Sequence, residues 1–196
     1  MKVQYVFIVI AYLVGSLPFG LILGKAAGID VRQGGSGNIG ATNVTRLVGK
    51  KIGAATLLFD VAKGFLPMIA AGGLGADENT ILLCGIAAFV GHLYPVYLKF
   101  RGGKGVATAL GVFLYLDPLA VVFCIIAFVC VVSLSGFVSV GSLTAAALMP
   151  LLVLFLQGSG NVAWCAFFIA LLIWFKHREN IGRLIRREEK SWKEKK

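Results

Sequence analysis

VQYVFIVIAYLVGSLPFGLILG, Val3–Gly24, runs for 22 residues without a charge. At about 1.5 Å of rise per residue, a helix of that length crosses the roughly 30 Å of hydrocarbon in a bilayer. With Met1 in front it has the length of a secretory leader, but the small-residue cleavage pattern is poor and more apolar runs follow. It therefore reads as a retained span. Further runs lie at roughly Ile52–Gly73, Thr80–Leu98, Val106–Leu116, Pro118–Leu134, Val138–Leu156 and Val162–Phe175. The fourth covers only about 17 Å as a helix and reads as a half-span, with Asp117-Pro118 as the break before the fifth. The pattern predicts an all-α polytopic membrane protein of about seven transmembrane helices. It forms one domain, 1–196, with a basic tail from about residue 185.

Bulk composition agrees. The chain is 58% hydrophobic and 14% charged, with mean hydropathy +0.87, and a water-soluble domain carries far more surface charge. Cys84, Cys124, Cys130 and Cys165 all sit inside apolar runs without CxxC spacing. Neither a metal site nor a disulfide framework is implied. No cofactor is called for.

The net charge of +10 raises nucleic acid as a partner, but the placement of the basic residues excludes it. Lys25, Arg32, Arg46, Lys50, Lys51, Lys99, Arg101, Lys104 and nine residues from Lys176 onward fall in connections on one side, 17 of the 19 Lys and Arg. Lys2, with Asp77, Glu78 and Asp117, falls on the other, and Lys63 lies within the second span. By the positive-inside rule the N-terminus is outside and the C-terminus cytoplasmic. The same charges attract anionic headgroups. The tail, alternating bases with Glu188, Glu189 and Glu194, reads as a headgroup-binding or disordered extension.

Three polar segments then share the cytoplasmic side: GSGNIGATNVTR (Gly35–Arg46), GHLYPVYLKFRGGKGVAT (Gly91–Thr108) and HRENIGRL (His177–Leu184). Amide-rich, cation-bearing turns at span ends are how a membrane protein holds phosphate. Gly35–Gly40 matches GxGxxG, yet no strand precedes it and no βαβ unit surrounds it, so a dinucleotide site is rejected. Local physics still makes it an expected anion nest, with donors at Ser36 and Asn38 and a bidentate cation at Arg46. Asn43-Val44-Thr45 is a glycosylation sequon that stays unmodified on the cytoplasmic side.

Gly102-Gly103-Lys104-Gly105 is not a P-loop, because Gly105 stands where Ser or Thr is needed. A lysine between glycines at a helix start remains a good phosphate ligand. Lys99 and Arg101 read as topogenic charges. His92, inside the third span and three residues before Pro95, is either a functional group or an imidazole that satisfies carbonyls freed by the proline. His177 and Asn180 share one helical face. Asp60 and Lys63, three apart, can pair along their helix. Ser142 and Thr144 either donate to a ligand or bond to their own helix. Gly20, Gly24 and Gly28 suit close helix–helix approach.

Taken together, the three segments closely resemble the PlsY family of bacterial acyl-phosphate:glycerol-3-phosphate acyltransferases, over the whole chain. That resemblance implies transfer of a fatty acyl group from acyl phosphate to the 1-hydroxyl of glycerol 3-phosphate. Lysophosphatidic acid and phosphate result, at the cytoplasmic face of a bacterial inner membrane. The implied partners are glycerol 3-phosphate, acyl phosphate and membrane lipid. Lys104, Arg46 and His177 are the expected catalytic residues. Ser36, Asn38, Arg46, Lys104, His177 and Asn180 are expected to hold the two phosphate groups. Gly37, Thr42, Asn43, His92, Gly102, Gly103 and Ser142 complete the substrate-binding set.

No Ser-His-Asp or Cys-His set is apparent, so an acyl-enzyme is not expected. Neither histidine has Asp five residues on, since those positions are Tyr97 and Gly182. The attacking hydroxyl loses its proton to a substrate phosphate oxygen or to His177, with the substrate preferred. Two other readings compete. A phosphate-ester transporter would carry an internal repeat and a polar path at the midplane, and neither is present. A non-catalytic lipid-binding protein would explain the tail but not Arg46 and Lys104 among glycines.

Overall fold

A computed structural model of the chain describes residues 2–158 and 160–193, with the side chains of Lys2 and Val3 excepted. The Lys2 side-chain charge is therefore not described, and Glu194, Lys195, Lys196 and the leader-like start at Met1 lie outside the described residues. Regular structure among the described residues is helical throughout, and it divides into two compact units, Met1–Tyr115 and Leu116–Lys196.

The first unit contains α1 (Lys2–Gly15), α2 (Phe19–Ala26), α3 (Ala41–Leu47), α4 (Lys50–Gly73), α5 (Glu78–Leu93), a 3₁₀ turn (Val96–Leu98) and α6 (Val106–Leu116). The second holds α7 (Pro118–Ser135), α8 (Val138–Gln157), α9 (Asn161–Lys176) and α10 (Arg178–Ile185). Five stretches are long and apolar enough to span a bilayer: Gln4–Ala26, Lys50–Gly73, Glu78–Leu98, Pro118–Ser135 and Val138–Gln157. Val106–Leu116 and Asn161–Lys176 are shorter apolar helices, which matches the seven expected segments. Large apolar side chains point outward in both units, Leu58, Leu66, Ile126 and Phe155 among them, as lipid-solvated helices require.

Helix ends follow side-chain chemistry. Asp77 caps α5 by accepting from the Thr80 amide at 2.9 Å. Asp117 caps α7 in the same way from Ala120 at 2.9 Å, with Pro118 in the first turn, where its missing N–H costs nothing. Asp117 is buried at that cap rather than lying as a loop charge. Gly136, at φ 79°, closes α7 in the left-handed conformation.

Two spans expected as continuous are broken. Val3–Gly24 divides at Ser16–Pro18, because a proline in mid-helix removes a donor and clashes with the preceding turn. The third span leaves the α-helix at Leu93, since Pro95 drives Tyr94 away from helical geometry. His92 therefore sits in the last turn of α5, not deep within a span. Tyr12 Oη donates to the Tyr94 carbonyl at 2.7 Å and closes that end.

Packing in the first unit brings backbones together. A Cβ at Gly15 would stand 2.1 Å from Ala88 O, and one at Gly91 would stand 2.4 Å from Tyr12 O, so α1 and α5 meet without side chains between them. The expectation for Gly20, Gly24 and Gly28 is corrected in part. Gly20 approaches Ile39 O and Gly24 approaches Val31, both in the loop after α2, and Gly28 supplies a turn at φ 81°.

Candidate functional site

In the first unit the Gly35–Arg46 segment is a closed, internally bonded loop feeding α3. Asn43, 2% exposed, holds it together. Its Nδ2 donates to Val31 O and Asn38 O at 2.9 Å each and to Gly34 O at 3.3 Å, while its Oδ1 accepts from the Ser36 amide at 2.9 Å. Gly35, at φ 62°, has no room for a Cβ, which would lie 2.1 Å from Asn43 Oδ1. Asn38 Oδ1 accepts from the Gly40 amide at 2.8 Å, and Gly37 N donates to Gly34 O at 2.9 Å.

The expected anion nest is thus corrected. The amides of Ser36, Gly37 and Gly40 are directed at acceptors of the loop itself. What the loop presents outward is side chains: Ser36 and Thr42 are exposed, and Asn38 and Arg46 half-buried. Beneath it Leu21, Val31, Ile39 and Val44 form an apolar cluster that anchors α2, the loop and α3. Asp30 and Arg32 form a bidentate pair at the loop's start. The Arg32 side-chain hydrogen bond holds the Asp30 carboxyl down at about 2.

The second segment turns back onto the helix it leaves. After Pro95, Lys99 and Phe100 adopt left-handed φ values of 50° and 62°. Gly102 N then donates to Leu93 O at 3.3 Å and Gly103 N to His92 O at 3.1 Å, which satisfies carbonyls at the open end of α5. The glycines are required by that contact. A Cβ on Gly102 would meet His92 O at 2.1 Å, and one on Gly103 would meet His92 Nε2 at 2.1 Å. Lys104 follows directly, half-buried, with α6 starting at Val106 as the sequence predicts. Lys99 and Arg101 are exposed.

His92 itself is buried and belongs to a charged cluster. Lys63 Nζ lies 2.7 Å from Asp60 Oδ1, so the predicted pair along α4 forms. His92 Nδ1 approaches the same carboxylate oxygen at 3.7 Å.

The second unit holds Ser142, His177 and Asn180. Ser142 Oγ donates to Val138 O at 2.9 Å, a bond to its own helix. His177, 3% exposed, stands between α9 and α10. Its Nδ1 donates to Ile173 O at 2.8 Å, since a carbonyl oxygen can only accept. Asn180 Nδ2 donates to Glu189 Oε1, and Arg183 Nε donates to Glu189 Oε2 at 2.7 Å. Partial burial disfavours the Glu189 charge, but hydrogen bonds from Asn180 and Arg183 outweigh it and hold the carboxyl below its ordinary value.

The tail is not a loose extension through Lys193. Trp192 N and Ser191 Oγ both donate to Gly136 O at 3.0 Å, and Lys193 Nζ donates to Ser133 O at 2.7 Å. Glu189 carried no signal in the sequence, being one of several acids in a basic tail. An apolar groove also runs along α8 and α9, from Trp164 and Phe167 past Leu151 and Trp174 to Ile181 and Leu184 of α10.

The family model described as glycerol-3-phosphate acyltransferase matches residues 5–187. A protein named glycerol-3-phosphate acyltransferase from Desulfotalea psychrophila is 53% identical over 98% of this chain and 100% of its own length. One of the same name from Trichlorobacter lovleyi is 50% identical over 93% of this chain and 94% of its own. Among solved structures, a crystal structure of PlsY (YgiH), an integral membrane glycerol 3-phosphate acyltransferase in its glycerol 3-phosphate form, superposes with a TM-score of 0.91. It is 40% identical and covers 96% of this chain and 95% of that one. Its lysophosphatidic acid form gives a TM-score of 0.89 at 40% identity, with 96% and 94% covered.

Proposed function

Because this chain belongs to the glycerol-3-phosphate acyltransferase family, we propose that its acyl donor is an acyl phosphate and that its products are lysophosphatidic acid and inorganic phosphate. Acyl transfer to glycerol 3-phosphate in a multi-pass membrane protein is the activity the family carries.

One observation carries it. The Gly102–Gly103 backbone is fastened to the end of α5, and this sets Lys104 at the start of α6. A lysine whose backbone is held there, with Arg46 on α3 and the polar side chains of Ser36 and Asn38 in the same unit, suits dianionic phosphate. His177 and Asn180 of the second unit are proposed as further phosphate ligands. The apolar groove along α8 and α9 suits an acyl chain. The basic connections support a cytoplasmic side for the proposed phosphate-holding residues by the positive-inside rule, and the family resemblance supports a bacterial inner membrane.

An acyl phosphate is a mixed anhydride, already activated, so orientation and charge stabilisation supply the catalysis. The 1-hydroxyl oxygen bonds to the acyl carbon. The bond from that carbon to the bridging oxygen breaks, and the phosphate leaves with the electron pair. The hydroxyl proton passes to a phosphate oxygen. Arg46 and Lys104 offset the negative charge that grows on the departing group.

The test is purified protein in detergent with glycerol 3-phosphate and either acyl phosphate or an acyl thioester. Equal amounts of phosphate and lysophosphatidic acid from acyl phosphate alone are expected. Turnover with the thioester and none with acyl phosphate would overturn the donor assignment.

A further inference from the structure

Asp60, Lys63 and His92 are 2%, 3% and 4% exposed, three ionisable groups within an apolar unit. Such groups are costly in hydrocarbon and call for a reason. Asp60 and Lys63 have one as a pair, since each neutralises the other at 2.7 Å. Lys63 Nζ also donates to Leu17 O at 2.8 Å, at the break before Pro18. His92 is not needed for that balance, and an apolar residue in its place would fill the same space at lower desolvation cost.

What His92 adds is a connection between two elements. On one edge, its Nδ1 faces Asp60 Oδ1 at 3.7 Å. On the other, its Nε2 lies 2.1 Å from where a Cβ on Gly103 would stand. Its own carbonyl accepts from the Gly103 amide at 3.1 Å. The imidazole thus stands between a buried carboxylate and the backbone of the residue preceding Lys104.

We propose that Asp60 and His92 are positioning residues for Lys104. Asp60 sets the ring, the ring sets the Gly102–Gly103 backbone, and that backbone sets where the ammonium meets phosphate. The inference rests on the reading of Lys104 as a phosphate ligand. Neither Asp60 nor His92 touches substrate in this scheme.

A double-mutant cycle on catalytic efficiency tests it. Lys104→Ala alone lowers kcat/KM for glycerol 3-phosphate. His92→Ala alone lowers it by about 100-fold, the loss that accompanies a displacement of about 1 Å in a binding group. In the His92→Ala background, Lys104→Ala then costs little more, because the ammonium is already misplaced. A merely structural His92 would instead give multiplicative losses, and that result would overturn the inference while leaving the phosphate reading intact. A harmless Lys104→Ala would overturn both.

The paired substitution Asp60→Asn with Lys63→Met guards against misfolding, since it leaves no uncompensated charge. It is expected to unfold thermally near the parent protein yet lose efficiency as His92→Ala does. Full activity in that double variant would overturn the role of Asp60.

Discussion

Glu189 holds Asn180: the amide Nδ2 of one donates to the carboxylate Oε1 of the other, and Arg183 grips the second oxygen at 2.7 Å. The contact docks the segment after α10 onto the second unit, and it depends on charge. The folded-state carboxyl is held below the ordinary value of 4.5. Its contribution is therefore complete above that value and is lost as pH falls through the depressed one. Hydrogen exchange across 188–193 should stay slow near neutral pH and accelerate under acid conditions. Glu189→Gln should show fast exchange at every pH.

Arg46→Ala and Lys104→Ala should each raise KM for glycerol 3-phosphate or lower kcat. A charge-assisted hydrogen bond is worth about 1.5–3 kcal/mol, roughly a 10- to 100-fold loss in kcat/KM. Lys should replace Arg46 poorly, because an ammonium cannot make the paired contacts of a guanidinium. Steady-state kinetics in detergent decide both points.

Asn43→Ala should damage the loop rather than the chemistry. It leaves the Ser36 amide and the Val31 and Asn38 carbonyls without the partner they now have, at a cost of about 1–3 kcal/mol. Asn43→Asp should be no rescue, since a carboxylate cannot donate to those carbonyls. A lowered thermal midpoint is the expected reading, and an unchanged one would refute the clasp.

Gly103→Ala should be poorly tolerated, because its Cβ would lie 2.1 Å from His92 Nε2. The same substitution should be milder in a His92→Ala background, where the ring is gone. Comparing the two activities checks the contact directly.

For His177→Gln, substrate-assisted proton transfer predicts weaker glycerol 3-phosphate binding and lower turnover with the shape of the pH–rate profile unchanged. Disappearance of the acid-side limb with binding intact would instead identify the ring as the base.

Spans were legible because apolar runs declare themselves over twenty residues, and Asp60–Lys63 because a spacing of three is a helix neighbour. Local chemistry also announced Lys104 before α6. The breaks at Pro18 and Pro95 were marked by the prolines, but hydropathy averaged across them. Long-range contacts left no local trace. Nothing in the spacing tied His92 to Asp60, Glu189 to Asn180, or Gly20 to Ile39, since each meeting depends on how separate elements pack. Asn43 stands in the expected substrate-binding set only through the family resemblance, and its amide turns inward to stitch the loop.

The hydrogen bond from Lys63 to Leu17 joins positions 46 apart in the chain, and this has a bearing on biogenesis. Translation delivers the kinked first span to the bilayer well before its ammonium partner emerges. Until then the carbonyl at the kink has only the Phe19 amide as a partner, and α4, arriving later, brings two opposite charges into the same oily phase. Leaving the insertion machinery together spares both segments that exposure. A chain in which Lys63 alone is replaced, so that Asp60 stays charged and unpaired, should therefore fail early, as degraded nascent protein, whereas neutralising both partners removes that charge from the oily phase.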